Sequence, residues 1–453
     1  MSQRTTPATL VGLAFPILAV LLAWVWIAAQ PASAASGDLS WRRVFNGTGN
    51  DDDRFFVSAP APKGGVYAAG WTTAATRDLV LVRYTAGGRG LWVRTFDGTA
   101  HDADSATGLA VDGRGDAIVV GIANGAAGIA VVAKYAPGGR RLWLRTYDDP
   151  LTDADAAWAV TTDRAGNVYV AGTSRTGVIT TAIVIKYSAS GVRKWVRRFA
   201  RTGGDGSDET TAIVTDGSRH LYITGNSLGA ASQNDVLTLK YDTEGHRLWA
   251  RTWDGGANGA DVGFAVAANA SGAYVAGQSE TTTTGADGVL LRYGVGGRLL
   301  WHRTVAGPGT GTDELDDVAL ARNGDPVVAG MIDVSMSNGT DAAVERLSPA
   351  GKVRWTRTYN GPDSRNDAAQ RVTVARSGSI YVVGTSEGTN TATDVLTLKY
   401  GAGGGLRWAR RYTSTGGGSS DAGTALTVTA GSVYVTGYQL GLTLDGVLLR
   451  YKP

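Results

Sequence analysis

The sequence repeats one short pattern, Trp-x-Arg, eight times at steps of 51 to 54 residues. The tryptophans are Trp41, Trp92, Trp143, Trp195, Trp249, Trp301, Trp355 and Trp408. The arginines are Arg43, Arg94, Arg145, Arg197, Arg251, Arg303, Arg357 and Arg410. A fixed period of about 50 residues is typical of propellers, solenoids and other arrays, in which each repeat is one structural unit that needs its neighbours.

One repeat contains four short segments with the composition of strands. In the third repeat these are residues 155–163, 168–172, 182–187 and 194–199, rich in Val, Ile, Tyr and Trp. Turn residues separate the segments, and no 3.6-residue period is sustained after residue 35. Four antiparallel strands per repeat are the content of one β-propeller blade. The sequence therefore predicts an all-β fold of four-stranded antiparallel blades.

The number of blades and the closure of the ring follow from counting. A glycine ends the second strand of each repeat, at Gly70, Gly121, Gly172, Gly225, Gly277, Gly330, Gly384 and Gly437. The eighth repeat runs out at Tyr451 without a Trp strand, whereas residues 39–45 carry one before the first repeat. We therefore expect an eight-bladed ring in which residues 39–45 complete the last blade, which removes an open sheet edge.

The first residues look like a targeting segment. Arg4 precedes an uncharged stretch over residues 8–29, and Ala32 and Ala34 form a small-x-small site. This pattern is typical of a Sec-type signal peptide, which predicts cleavage after residue 34. An uncleaved anchor is the alternative, because about 20 apolar residues span a bilayer. Residues 35–453 are then a single exported propeller domain of eight repeats.

Composition excludes several classes of site. The chain has no Cys, so it has neither disulfides nor thiolate metal ligands. The net charge of +3 and the absence of long basic runs argue against nucleic-acid binding. The four His occupy unrelated repeat positions, and no hydrolase or P-loop motif occurs. We assign no catalytic residue, and the acidic residues 313–317 are interpreted as a solvated loop.

One Asp precedes the first strand of every repeat. These residues are Asp53, Asp104, Asp155, Asp208, Asp261, Asp313, Asp367 and Asp421. Eightfold geometry predicts that they form a ring near one mouth of the central channel. Two interpretations stay open: the carboxylates accept hydrogen bonds from the inter-blade turns or from the repeated Arg, or they bind a hard cation such as calcium.

The repeated Trp and Arg are interpreted as structural. A large ring at a fixed place in the fourth strand is expected to pack between neighbouring blades. The Arg two residues later lies on the same face of the strand. Its guanidinium is expected to lie against the Trp ring or to meet a carboxylate.

Several stretches resemble a known repeat family. They are Gly-Asn-Val-Tyr-Val-Ala-Gly at 166–172, Asp-Val-Leu-Thr-Leu-Lys-Tyr at 235–241 and 394–400, and the Trp-x-Arg-x-aromatic strand. Together they resemble the bacterial β-propeller repeat family abbreviated SBBP, over nearly all of residues 39–451. The resemblance implies a secreted or cell-surface bacterial protein with no common catalytic activity.

These observations lead to one expected function and one alternative. We expect a non-enzymatic scaffold that binds an extracellular or cell-envelope partner, either a protein or a glycan, through loops on one face. The Ser/Thr/Asn/Gly-rich connections between second and third strands are the expected recognition loops. The alternative is a polysaccharide-acting enzyme with loop carboxylates at the channel mouth. We expect a monomer without a cofactor, calcium excepted, that contacts membrane only through an uncleaved N-terminus.

Overall fold

A computed structural model gives the structure of the protein and describes most of the chain. The described residues are 39–123, 128–201, 206–229, 233–257, 259–281, 285–335, 339–389, 392–414 and 420–453. The predicted signal peptide, residues 1–34, lies outside them. In the described part of the chain, no helix is long and apolar enough to cross a membrane.

The described chain forms eight antiparallel four-stranded sheets, which confirms the predicted eight-bladed propeller. The strands of blades 1 to 4 are β2 (Asp53–Ala61), β3 (Gly65–Thr73), β4 (Arg77–Tyr84) and β5 (Gly90–Phe96); β6 (Ser105–Val111), β7 (Ala117–Ala123), β8 (Ile129–Tyr135) and β9 (Arg141–Tyr147); β10 (Ala154–Thr162), β11 (Val168–Thr176), β12 (Ile179–Tyr187) and β13 (Arg193–Phe199); and β14 (Asp208–Thr215), β15 (His220–Leu228), β16 (Asn234–Asp242) and β17 (Arg247–Trp253). A short 3-10 turn, Pro62–Gly64, follows β2.

The remaining blades repeat the arrangement. The strands of blades 5 to 8 are β18 (Asp261–Asn269), β19 (Gly272–Glu280), β20 (Ala286–Gly294) and β21 (Leu299–Val305); β22 (Glu314–Leu320), β23 (Pro326–Ser335), β24 (Gly339–Leu347) and β25 (Val353–Tyr359); β26 (Asp367–Val374), β27 (Ile380–Glu387), β28 (Thr393–Tyr400) and β29 (Leu406–Tyr412); and β30 (Ala422–Thr429), β31 (Ser432–Leu440), β32 (Leu444–Tyr451) and β1 (Leu39–Phe45).

The ring closes as the sequence predicts. Strand β1 pairs antiparallel with β32, with Arg42 opposite Leu449 and Val44 opposite Val447. The first strand of each blade contacts the first strands of both neighbouring blades, including β2 with β30. These first strands therefore surround the axis, and the fourth strands lie at the outer rim. We call the side with the connections between second and third strands, and between blades, the upper side.

The core lies between the blades because both faces of each sheet are apolar. The second and third strands are continuous apolar stretches, and Val80, Leu81 and Val82 of β4 are at most 1 % exposed. One face of each sheet packs against the preceding blade and the other against the following blade, as in the cluster that joins Leu81 of blade 1 to Val119 of blade 2. Blades of this kind cannot fold singly, because each depends on its neighbours for burial.

Candidate functional site

The repeated Trp residues fasten each blade to the next. In seven of them the indole Nε1 donates a hydrogen bond to a carbonyl in the turn between the third and fourth strands of the following blade, over 3.0 to 3.2 Å. The eighth, Trp408, faces blade 8, whose last two strands, β32 and β1, are not consecutive in the chain, and it packs against Tyr381 and Tyr451. These rings lie at blade junctions rather than at a ligand surface.

The repeated Arg residues complete the same junctions. Six of them place the guanidinium over their own Trp ring, 5.3 to 5.9 Å from its centroid: Arg43, Arg94, Arg197, Arg251, Arg357 and Arg410. Six donate from Nε to a glycine carbonyl of the next blade over 2.6 to 2.8 Å: Arg43, Arg94, Arg145, Arg197, Arg251 and Arg357. Arg303 instead binds both carboxylate oxygens of Glu345.

The eight ring Asp residues are buried at the corners where one blade leads into the next. Each is at most 2 % exposed. In every case a carboxylate oxygen accepts a backbone N–H from the preceding corner over 2.5 to 3.0 Å, as from Gly255 to Asp261. The hydroxyls of Ser174 and Ser414 donate further hydrogen bonds to Asp155 and Asp421. The ring lies at the upper ends of the first strands, inside the protein rather than open to the channel.

Among the residues that the structure describes, two groups of carboxylates could hold a metal ion. One consists of Asp78, Asp97 and Asp104, and the other of Asp235, Asp254 and Asp261. Within each group the ligand oxygens lie within 4.8 Å of one another. Asp104 and Asp261 belong to the predicted ring, whereas the other four residues come from third strands and from the corners after fourth strands.

The first strands carry a feature that sequence reasoning missed. Each has a β-bulge three residues after the ring Asp, where the register with the second strand shifts. The bulged residues, here called the axial ring, are Phe56, Thr107, Trp158, Thr211, Phe264, Asp316, Gln370 and Thr424. An irregularity of this kind re-aims a side chain and is frequent near functional sites. Its signal in the sequence is an unusual variety of residue types at one repeat position.

The Thr members of the axial ring bind the next blade. The hydroxyls of Thr107, Thr211 and Thr424 donate to the carbonyls of Ala157, Gly263 and Phe55, over 2.5 to 2.7 Å. They alternate with the aromatic members, of which Trp158 is 38 % exposed. The hydroxyls of these Thr residues are therefore already engaged, while the Trp158 indole donates to Thr173 and Phe56 packs against Trp71 of its own blade.

Blade 6 departs from its neighbours at the axis. Glu314, Asp316 and Asp317 lie on strand β22, next to Arg371 of blade 7, and we call these four residues the acidic corner. The interpretation of residues 313–317 as a solvated loop was wrong. Periodicity did not reveal the strand, because the bulge at Asp316 adds a residue and so interrupts the alternation of side chains along it.

Burial dominates the electrostatics of the acidic corner. Burial and the charge of Glu314 raise the pKa of Asp316 to about 8, although the charge of the nearby Arg371 acts to lower it. Burial also raises the pKa of Glu314 and of Asp317. Asp317 accepts the backbone N–H groups of Val318 and Val372, each over 2.9 Å. Asp317 thus joins blade 6 to blade 7, whereas Asp316 is held as a neutral acid near pH 7.

The histidines make local contacts. His101, His220 and His246 each contact the Asp four residues earlier, with Nδ1 to carboxylate distances of 2.6 to 2.8 Å. His302 lies 5.7 Å from the ring of Trp253, centroid to centroid. Each of the three His–Asp contacts is local and fastens the turn in which it lies.

Two grooves lie at the outer rim near blade 4. One is lined by Phe199, Arg201 and Arg247 among others, and the second by Arg251, Trp253 and Leu299 among others. Neither groove includes a residue of the axial ring or of the acidic corner.

No family model matches the chain. A curated relative, the regulatory protein FlaEY of Caulobacter vibrioides, is 30 % identical over 230 residues, which cover 44 % of this chain and 22 % of that protein. The chain therefore spans about a fifth of the length of this relative.

Solved structures resemble the chain only in general fold. The periplasmic gluconolactonase PpgL of Pseudomonas aeruginosa has a TM-score of 0.47 at 14 % identity, covering 79 % of this chain and 95 % of its own. The polysaccharide lyase Uly1 has a TM-score of 0.45 at 11 % identity, covering 86 % and 88 %. A protein of unknown function from Dyadobacter fermentans has a TM-score of 0.41 at 9 % identity, covering 91 % and 98 %. At these values no activity carries over to this chain.

Proposed function

We propose that the protein is an exported scaffold that binds a glycan of the cell envelope at the axial ring. One observation carries the proposal. The residues that the repeat keeps constant are used in contacts between blades, whereas the eight equivalent axial positions differ and include partly exposed aromatic rings. A rigid scaffold with variation at one place is a typical arrangement for recognition.

The chemistry of the axial ring favours a glycan. Phe56, Trp158 and Phe264 offer apolar faces on which a sugar ring can stack, while Gln370 and Asp316 offer groups that hydrogen-bond hydroxyls. These five residues lie on first strands that surround one axis. A narrow chain of sugars fits that shape better than a protein surface, which needs about 800 Å² per partner.

The test measures binding of the full-length chain to purified cell-envelope glycans by isothermal titration calorimetry. We expect Trp158→Ala to weaken binding at least tenfold, because it removes the most exposed axial ring. Val192→Ala is the matched control, since Val192 is an exposed apolar residue in an outer turn far from the axis. Equal binding by both variants, or capture of an envelope protein in place of glycan, contradicts the proposal.

The acidic corner favours a second candidate, an enzyme that cleaves polysaccharide. A carboxylic acid held neutral near pH 7 beside other carboxylates is the arrangement that general acid catalysis requires. In contrast to the sequence-based alternative, these carboxylates lie on strand β22 and not on loops. This candidate requires that the protein release new reducing ends from the bound glycan and that Asp316→Asn abolish the release. Binding without release rejects it.

A further inference from the structure

A pair of carboxylates recurs where one blade meets the next. The third strand of six blades opens with an Asp, and this Asp faces the ring Asp of the following blade. The pairs are Asp78 with Asp104, Asp235 with Asp261, Asp287 with Asp313, Asp341 with Asp367, Asp394 with Asp421, and Asp445 with Asp53. Blades 2 and 3 lack the pair because Ile129 and Thr181 occupy the position of the third-strand Asp.

The backbone holds these pairs together. The N–H of Asp104 donates to the carbonyl of Arg77, the residue before Asp78, over 2.7 Å. The N–H groups of Asp313 and Asp421 make the same bond to the residues before Asp287 and Asp394. At these three junctions the backbone therefore fixes the positions from which the two carboxylates extend.

At two junctions a third carboxylate joins the pair. Asp97 joins at the junction of blades 1 and 2, and Asp254 joins at the junction of blades 4 and 5. Both follow a fourth strand directly and are exposed, whereas the ring Asp beside each is buried. The same three repeat positions therefore build the same cluster twice, with one exposed carboxylate on the solvent side.

The cluster of blades 4 and 5 contains an oxygen without a donor. Asp235 is 2 % exposed, and its Oδ1 is buried with no hydrogen-bond partner among the described residues. Its Oδ2 binds the Arg201 guanidinium, and Asp261 is 1 % exposed. The charges of Asp254 and Asp235 both act on Asp261. A buried carboxylate oxygen without a partner is costly, and a metal ion is the ligand that would satisfy it.

We propose that these two clusters, Asp78 with Asp97 and Asp104, and Asp235 with Asp254 and Asp261, each bind a hard divalent cation of the calcium class. Carboxylate oxygens are the ligands that such cations prefer, and calcium accepts the irregular geometry of a junction with water completing its shell. Each cation joins the third strand of one blade to the first strand of the next. The cation sites are separate from the axial ring, so failure of this proposal leaves glycan binding untouched.

The test titrates calcium into the EDTA-treated full-length chain by isothermal titration calorimetry, with magnesium in a parallel titration. We expect saturable binding of two ions per chain and a higher melting temperature. Asp97→Ala and Asp254→Ala should each remove one ion, because each deletes an exposed ligand, and the double variant should remove both.

Asp148→Ala is the matched control. Asp148 occupies the same repeat position as Asp97 and Asp254, but its junction has Ile129 in place of the third-strand Asp. This control should keep both ions. No calcium or magnesium binding, or an equal loss in Asp148→Ala, would overturn the proposal. Stronger binding of magnesium than of calcium would overturn the assignment to the calcium class.

Discussion

At the scale of single residues, Asp316 is the side chain that the repeat explains least. In blades 2, 4 and 8 the axial position is a Thr whose hydroxyl donates to a carbonyl of the following blade. An ionised carboxylate cannot donate, whereas a protonated one can. Burial beside Glu314 raises the pKa of Asp316 to about 8, so the protonated form at neutral pH resembles the hydroxyl that it replaces.

We predict that Asp316→Asn stabilises the protein relative to wild type, and that this stabilisation grows as the pH rises from 4 to 8. The pKa of Asp316 is raised on folding, so its contribution to stability is complete below about pH 4 and is lost as the pH rises through about 8. Asparagine does not ionise and escapes that loss. A tenfold change in an acid dissociation constant corresponds to about 1.4 kcal/mol. Because solvent screens part of this interaction, we expect a gain of roughly 2 to 4 kcal/mol at pH 8.

Urea unfolding of both proteins at several pH values measures this difference. Asp102→Asn is the control, because Asp102 is an exposed acid in the corner before blade 2, and it should show no such pH dependence. A constant difference between wild type and Asp316→Asn from pH 4 to pH 9 would show that Asp316 titrates normally.

At the scale of strands and turns, the repeat predicted the elements better than their ends. Residues 168–172 and 182–187 were predicted as strands, and the structure extends them to β11 (Val168–Thr176) and β12 (Ile179–Tyr187). Most of the added residues are Ser, Thr and Arg, whose backbones pair although their side chains do not show strand periodicity. The expected long recognition loop between them is thus reduced to Gly177 and Val178.

The candidate sites show the same limit of sequence analysis. The eight ring Asp residues are evident from the repeat, but their third-strand partners become neighbours only when blades close into a ring. The bulge that creates the axial ring is a shift in pairing between two strands, and no single strand reveals it. What depends on contacts between repeats is therefore accessible only from the structure.

The turns that receive the Trp rings need glycine for two reasons. Gly297 has φ of +80°, and a Cβ there would lie 2.7 Å from the Trp249 ring. Alanine at this position would adopt a left-handed conformation, which costs about 1 to 2 kcal/mol, and it would also push the ring away. We predict that Gly297→Ala destabilises the protein by roughly 3 kcal/mol, measured by chemical denaturation.

The neighbouring Gly296 provides the matched control. It lies in the same turn, and a Cβ there would meet nothing within 4 Å. Gly296→Ala should leave the free energy of unfolding within about 0.5 kcal/mol of wild type. Similar losses in both variants would mean that the turn, and not its contact with Trp249, requires glycine.

At the scale of the whole molecule, the closure of the ring joins the two ends of the described chain. Strand β1 supplies Trp41, whose Nε1 donates to the carbonyl of Ala86 in blade 1. Arg42 donates to the hydroxyl of Tyr412 in blade 7 over 2.8 Å. This short strand thus contacts three blades, the two neighbours and its own. Without it, β32 would be an open edge with unpaired backbone groups.

We predict that deletion of residues 1–45 lowers the melting temperature and promotes association between copies of the chain. The removed strand takes with it the β1–β32 pairing, the Trp41 contact with blade 1 and the Arg42 contact with blade 7, while the exposed edge of β32 invites pairing with another chain. Light scattering and thermal unfolding measure both effects.

A synthetic peptide of residues 39–45 should restore the melting temperature of the truncated chain in a saturable manner. A peptide with Trp41→Ala should restore less of it, since it pairs with β32 but lacks the indole. The prediction is wrong if the truncated chain has the melting temperature of wild type and does not associate. The ring would then be stable with seven complete blades and a three-stranded eighth.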